Sequence, residues 1–394
     1  MKKNKISPNV WHLSWVSFLN DLSSEMIMPI LPLFIASLGG GGFAIGLIGG
    51  LRAGLSSIFK ILSGYWADKT GKRKSFVFAG YLNSAVFKLF IGLATIWQHV
   101  LVFTGLERIG KGLRTAPRDA IIADSSEINR GRSFGLHRTF DTMGAVLGAF
   151  LALFLYWLIH LDFRTIIIVA AVISFFSLVP LHFVKSKAKK PQQISFALTF
   201  KNLPTQVKTL IFISAIFYLA NFSYMFFILK SKDFFATIYS LRVANVLPIV
   251  LYILSNLIYA SFSYPFGVLA DKIGRRRVLA CGYLLFSLLA LGFAYFEGLI
   301  AYSLLFSVYG FVNAIIDANQ RAYVSDLSPK NLRASALGAF HAVVGVMSII
   351  EGIIIGVIWQ WISPFWAFIY GGLVTGVAGI LFFVLKNKLN LKNY

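Results

Sequence analysis

The chain has 394 residues, of which 57% are hydrophobic, and a mean hydropathy of +0.74. That is too apolar for a soluble protein of this size; apolar runs long enough to cross a bilayer core, about 20 residues each, recur from end to end and leave no soluble domain over. The formal charge of +22 reads as loop charge sorted by the positive-inside rule rather than as a nucleic-acid footprint, and one cysteine, Cys281, without Cys/His metal spacing gives no reason to expect an internal disulfide, a metal or a cofactor.

Twelve spans are expected, at about 10–36, 43–66, 76–96, 100–123, 135–159, 165–184, 209–229, 242–266, 278–296, 299–324, 336–359 and 365–385. The opening Met1-Lys-Lys-Asn-Lys5 is basic, but the run behind it is too long and too polar at its centre for a cleaved signal, so the first span is expected to stay. That span holds Asn20, Asp21 and Glu25. An acid in mid-membrane costs about 2.5–3.5 kcal/mol on insertion scales, and residues four apart share one helical face. That face must meet water, a cation or basic side chains rather than lipid.

Span 2 carries Arg52 and ends in Gly64-Tyr-Trp-Ala-Asp68-Lys-Thr-Gly71-Lys-Arg73-Lys; span 3 carries Lys88. Span 4 reads Glu107-Arg108-Ile-Gly110-Lys111-Gly-Leu-Arg114-Thr-Ala-Pro117-Arg118-Asp119. At 100° per residue these charges form a basic stripe trimmed by two acids, and Pro117 is expected to bend the helix. Asp124 closes the span, Arg130 follows it, and His137, Arg138 and Asp141 open span 5. Span 1 runs outward and span 4 inward. Arg108 is therefore expected near the level of Glu25, with Lys111 and Arg114 near that of Asp21, and opposed charges at matched depth should pair.

The basic middle segment, about 185–207, is the one linker-like stretch; it divides an N-terminal six-span half (1–184) from a C-terminal one (208–394). The second half offers mostly uncharged groups: Asn221, Ser223 and Tyr224 in span 7, Tyr252 and Asn256 in span 8, Asn313 and Asp317 in span 10, and Glu351 in span 11. The abundant phenylalanines read as lipid-facing filler rather than a ligand cage. Lysine and arginine cluster on alternate loops, including 69–74, 185–208, 272–277 and the tail, which predicts both termini on the cytoplasmic side.

The halves repeat. Gly267-Val-Leu-Ala-Asp271-Lys-Ile-Gly274-Arg275-Arg-Arg restates the loop after span 2, and Leu332-Arg333-Ala-Ser-Ala-Leu-Gly338 restates Asn129-Arg130-Gly-Arg-Ser-Phe-Gly135. On these loops, and on Arg108-Ile-Gly110-Lys-Gly112, the chain resembles the major facilitator superfamily over essentially its whole length. The resemblance implies an all-α integral membrane fold: twelve transmembrane helices in two pseudo-symmetric six-helix bundles, with spans 1, 4, 7 and 10 lining a central cavity. It also implies that Asp68 pairs with basic groups and a helix N-terminus of the other half as a cytoplasmic latch. Gly64, Gly71, Arg73, Asp124 and Arg130 belong to that latch, and Asp271, Arg275 and Asp326 form a second copy.

The expected function is a monomeric, proton-coupled carrier of a small organic solute in a prokaryotic cytoplasmic membrane. Asp21 and Glu25 would take up and release the proton, because a partly desolvated acid with a basic neighbour can exchange one as the cavity changes sides. The other reading of these acids is a permanent ion pair that fixes helix packing. Arg52, Glu107, Arg108, Lys111 and Arg114, with Asn20 and the second-half polar groups, are candidate solute ligands, while Arg118, Asp119, His137 and Asp141 are candidate gate residues. The excess of interior cations points to an anionic or zwitterionic solute. A proton-driven exporter of drugs, lipophilic cations or lysolipids is the alternative, since an acid on span 1 with a Glu-Arg pair on span 4 also looks like Spinster-type lysolipid carriers. A metal or siderophore exporter fits less well beside so many bases. No nucleophile with a His/Asp partner and no Gly-rich phosphate loop points to an enzyme, and the paired halves do not suit a channel.

Overall fold

A computed structural model of the chain describes residues 6–125, 130–185, 203–329, 332–385 and Leu389. The described residues are helical: α1 (Pro8–Ile27), α2 (Leu31–Ser37), α3 (Gly42–Thr70), α4 (Arg73–Gly92), α5 (Trp97–Asp124), α6 (Arg130–Trp157), α7 (Phe163–Phe176), α8 (Leu178–His182), α9 (Thr205–Tyr218), α10 (Tyr224–Phe235), α11 (Leu241–Ile273), α12 (Arg275–Tyr295), α13 (Leu299–Asp326), α14 (Arg333–Val357) and α15 (Pro364–Val384), with a π-helical turn at Ile358–Ile362. Nine helices among the described residues are long and apolar enough to cross a membrane, ten if α1 and α2 count as one bent span.

The other two expected spans miss that count for physical reasons. The middle of α5 is too heavily charged, though the helix runs unbroken through Pro117. Span 7 is not one helix but two, α9 and α10, parted at Leu219–Ser223. Ser223 caps α10 by accepting a hydrogen bond from the Met225 amide. Span 1 also departs from the expected single rod. It bends by 43° between α1 and α2, where Pro29 and Pro32 supply no backbone donor and end the ladder.

The chain divides into two compact units, Met1–Gly40 with Leu51–Phe196, and Gly41–Gly50 with Ala197–Tyr394. Most of the expected linker, 186–202, lies outside the described residues. In the first unit α1 packs along α6 and α7, and α4 along α5. The α4–α5 crossing is close because Gly80 faces Gly110: a Cβ on Gly80 would stand 2.6 Å from the Gly110 carbonyl oxygen. In the second unit α12 packs along α13 and α15, and α11 along α13.

In the second unit a set of phenylalanines is core rather than filler. Phe217, Phe222, Phe226, Phe227, Phe235, Phe286, Phe293 and Phe306 are all fully buried inside the second unit. Phe227, Phe293 and Phe368 stack at centroid distances of 4.5–5.9 Å. Lipid is as apolar as a helix face, so membrane bundles are held by dispersion and fit rather than by escape from water, and aromatic stacking supplies both.

Candidate functional site

Many of the described charges of the first unit gather at three places. The first is a very small cavity, about 10 Å3, lined by Ser24, Ile27, Arg52, Lys88, Ile91, Glu107 and Arg108. Arg52 and Arg108 are each only 7% exposed, and both guanidiniums reach the Met28 thioether. Arg108 Nε lies 3.0 Å from Glu107 Oε2, close enough for a charge contact but not aligned as a hydrogen bond. Lys88, 2% exposed, donates to Ser23 Oγ at 3.0 Å, Ser174 Oγ at 3.3 Å and the Asn20 carbonyl and amide oxygens at 3.3 and 3.4 Å. Its shell, drawn from α1 and α7, is therefore neutral. The charges of Asp21, Glu107, Lys111 and Arg114 act on Lys88 from farther away. Three cations and one carboxylate thus converge on one cavity.

Sequence reasoning brought Arg52, Glu107 and Arg108 to this site but left Lys88 among the general interior charges. Its signal was a lone lysine in the middle of an apolar span. Lys111 is half-buried on α5. Arg114 faces α4: it donates to Ser84 Oγ at 2.5 Å and sits 4.4 Å above the Tyr81 ring. Asp21 is half-buried and accepts from the Asn20 amide at 3.3 Å, and among the described residues it makes no ion pair with Lys111 or Arg114. Glu25 is half-buried, and its Cβ lies beside Gly148 of α6.

The second gathering is a node where α1, α4, α5 and α6 meet. Ser17 Oγ lies 3.2 Å from Tyr81 Oη and 3.0 Å from His137 Nε2, and accepts from Arg118 at 2.9 Å. Arg118 also pairs with Asp119 at 3.0 Å, and His137 Nδ1 lies 3.5 Å from Asp141. Asp21 and Arg118 both act electrostatically on Asp141. All four candidate gate residues are thus brought around one buried serine or its guanidinium partner.

The third is a clamp that occurs once in each unit. Arg73 bridges Asp68 at 2.5 Å and Asp124 at 2.6 Å; Arg275 bridges Asp271 at 2.7 Å and Asp326 at 2.7 Å. In both, the arginine opens a helix and ties the end of the preceding helix to the far end of another. Gly71 and Gly274 precede the arginines with φ of 71° and 95°, a left-handed turn open to glycine at little cost. A Cβ on Gly64 would stand 3.4 Å from the Ala116 Cβ of α5, so the position has room for a small side chain, and Arg130 is exposed at the start of α6.

The second unit holds a pocket of about 250 Å3 lined by Phe217, Tyr218, Asn221, Asn256, Tyr259, Asn313, Ile316 and Asp317. Three carboxamides and two phenols thus share one lining with little net charge, since the Asp317 carboxylate accepts from Arg321 at 2.9 Å and from Tyr259 at 3.0 Å. Tyr224 and Tyr252, 5.1 Å apart, are stacked at a tilt in the same unit. Glu351 is 3% exposed, one of its carboxylate oxygens has no hydrogen-bond partner, and the other accepts from the Ser223 amide.

The comparisons agree with this architecture. A sequence profile described as Major Facilitator Superfamily matches residues 13–254 and 247–393. An MFS-type transporter of Methanocaldococcus jannaschii, MJ1317, is 50% identical over 96% of this chain and 94% of its own length. The multidrug resistance protein MdtH of Aeromonas hydrophila is 30% identical over 41% of this chain and 40% of its own. Among solved structures, the nucleoside transporter NupG superposes with a TM-score of 0.75 at 17% identity, covering 98% of this chain and 100% of NupG. A POT family transporter in complex with 5-aminolevulinic acid gives 0.77 at 14% identity over 98% and 97%. At such identities these two structures speak for the fold alone.

Proposed function

Since the chain belongs to the major facilitator superfamily of membrane transporters, we propose that it is a proton-coupled carrier of a small organic solute bearing an anionic group, moved by alternating access. The observation that carries this is the charge balance of the first-unit cavity: Arg52, Lys88 and Arg108 against Glu107 alone. Buried cations without matching carboxylates are costly, and an anionic solute offsets that cost when it binds in a state where this cavity, about 10 Å3 here, has opened. The neutral pocket of carboxamides and phenols suits the uncharged polar portion of such a solute. Asp21 and Glu25 remain the coupling acids of this reading, the Arg118–Ser17–His137–Asp141 node a gate, and the two arginine clamps the cytoplasmic latch. The loop cations support a cytoplasmic-membrane carrier with both termini inside.

A second reading, a proton-driven exporter of drugs or amphiphiles, is favoured by the partial likeness to MdtH and by the aromatic lining of the second-unit pocket. One experiment separates the two. Purified protein is screened for thermal stabilisation by organic anions, lipophilic cations and lysolipids at two pH values, because a ligand raises stability with occupancy. Stabilisation by an anion that disappears in Arg52→Gln supports the first reading; stabilisation by cations alone, unchanged in that variant, rejects it. For coupling, Asp21→Asn or Glu25→Gln in liposomes should abolish gradient-driven uptake of the stabilising solute and leave exchange intact. Uptake with unaltered pH dependence in both variants would remove these acids from the cycle.

A further inference from the structure

Glu351 is placed unlike any described carboxylate of the first unit. It lies deep in α14, and among the described residues of the second unit no lysine or arginine acts on it. The Ser223 amide at the start of α10 hydrogen-bonds it, and its charge acts on the Tyr309 phenol from α13 and the Tyr370 phenol from α15. The first turns of α3, which pack backbone-to-backbone on α14 at Gly46 and Gly352, carry no charge. Among the described residues of this unit an ionised carboxylate so enclosed has one hydrogen bond and no counter-ion, which burial makes expensive; a neutral carboxyl group avoids that cost.

The contacts of Glu351 lead to the pocket along two routes. Its bonded oxygen holds the Ser223 amide, the last residue of the Leu219–Ser223 break in span 7, and Asn221 within that break lines the pocket. At the other end of the break, Tyr370 donates to the Leu219 carbonyl at 3.2 Å. The second route is Tyr309, on which the Glu351 charge acts and which hydrogen-bonds Asn313, another pocket residue. An irregular stretch inside a membrane helix is tolerated where it lines a cavity, and this one is tied at both ends by side chains from neighbouring helices.

From this arrangement we infer that Glu351 is a proton-carrying group of the second unit, and that loss of its proton re-sets the Leu219–Ser223 break and with it the Asn221 and Asn313 amides of the pocket. When Glu351 ionises, its charge strengthens its hold on the α10 N-terminus, where amides point outward and the helix dipole favours an anion. The pocket then differs between the protonated and unprotonated states. The site assigns the second unit its own proton, separate from Asp21 and Glu25. It rests on the carrier reading only in taking the pocket as part of the solute path.

The test uses the full chain in detergent or nanodiscs and needs no solute. Infrared difference spectra between low and high pH should contain the carbonyl stretch of a protonated carboxyl group that is lost in Glu351→Gln and kept, displaced, in Glu351→Asp. Hydrogen–deuterium exchange at residues 219–225, corrected for intrinsic chemical exchange, should change with pH in the natural sequence and stay at its low-pH pattern in Glu351→Gln. A carboxyl band unaffected by Glu351→Gln, or equal pH-dependent exchange in the two proteins, overturns the inference. Should Glu351→Gln fail to fold, Glu351→Asp decides by whether the band shifts with it. Failure here leaves the anion-site reading intact, because that one is judged by Arg52→Gln.

Discussion

The two units solve the same problem, polar groups in a membrane, in opposite ways. The first holds its charges in company: Glu107 beside Arg108, Arg118 among Ser17, Asp119 and Tyr81, and Lys88 inside a shell of hydroxyls and amide oxygen. The second lines its pocket with carboxamides and phenols and holds a buried carboxyl group, Glu351, on which no cation among its own described residues acts. The difference teaches that a repeated topology does not require repeated electrostatics. What does repeat is at the helix ends, where the Arg73 and Arg275 clamps have the same form.

The contrast is broken most directly by neutralising one buried acid in each unit. Glu107→Gln leaves Arg108 buried without its anion and should cost about 3 kcal/mol, read as a large fall in melting temperature. Glu351→Gln substitutes a neutral group for one already lacking a counter-ion and should cost less than about 1 kcal/mol. Equal losses would erase the distinction between the units. The next effect is on binding. Asn256→Ala removes one carboxamide of the second-unit pocket and should weaken any stabilising solute about tenfold, close to 1.4 kcal/mol, with the unliganded melting temperature unchanged. An unaltered affinity would take this pocket out of the solute path. The smallest effect sharpens what the units share. Arg73→Ala and Arg275→Ala should each cost about 0.5 kcal/mol, because their carboxylates are partly exposed and screened, and both losses should shrink at high salt. A cost confined to one clamp would show that the duplication is only in form.

Which residues belong to the clamps was legible in the sequence because they are charged, closely spaced and repeated, but the expectation was a latch from Asp68 to the other half, and the bridges that Arg73 and Arg275 make within each unit were not legible. The stripe on α5 was legible from its period, yet the direction of each cation was not. Arg114 turns to Ser84 and the Tyr81 ring, and Lys88 finds its shell on α1 and α7, groups scattered over some 150 positions of the chain. The break in span 7 carries no proline or glycine; Asn221 and Ser223 were its signal, and they read equally well as pocket residues in an intact helix. Burial of the second-unit phenylalanines was invisible for another reason: apolar residues that face lipid and those that face a neighbouring helix obey the same composition.

The charge density of α5 bears on how the protein reaches its membrane at all. A segment holding Glu107, Arg108, Lys111, Arg114, Arg118 and Asp119 is a poor substrate for lateral release into lipid by itself. Only four residues separate it from α4, and α4 offers Asn83 to the Leu106 carbonyl and Ser84 to Arg114. Release as a hairpin with α4 would give these charges partners that α5 alone lacks. A nascent chain cut after α5 should be retained when α1 and α4 are intact and slip through when α4 is replaced by polyleucine.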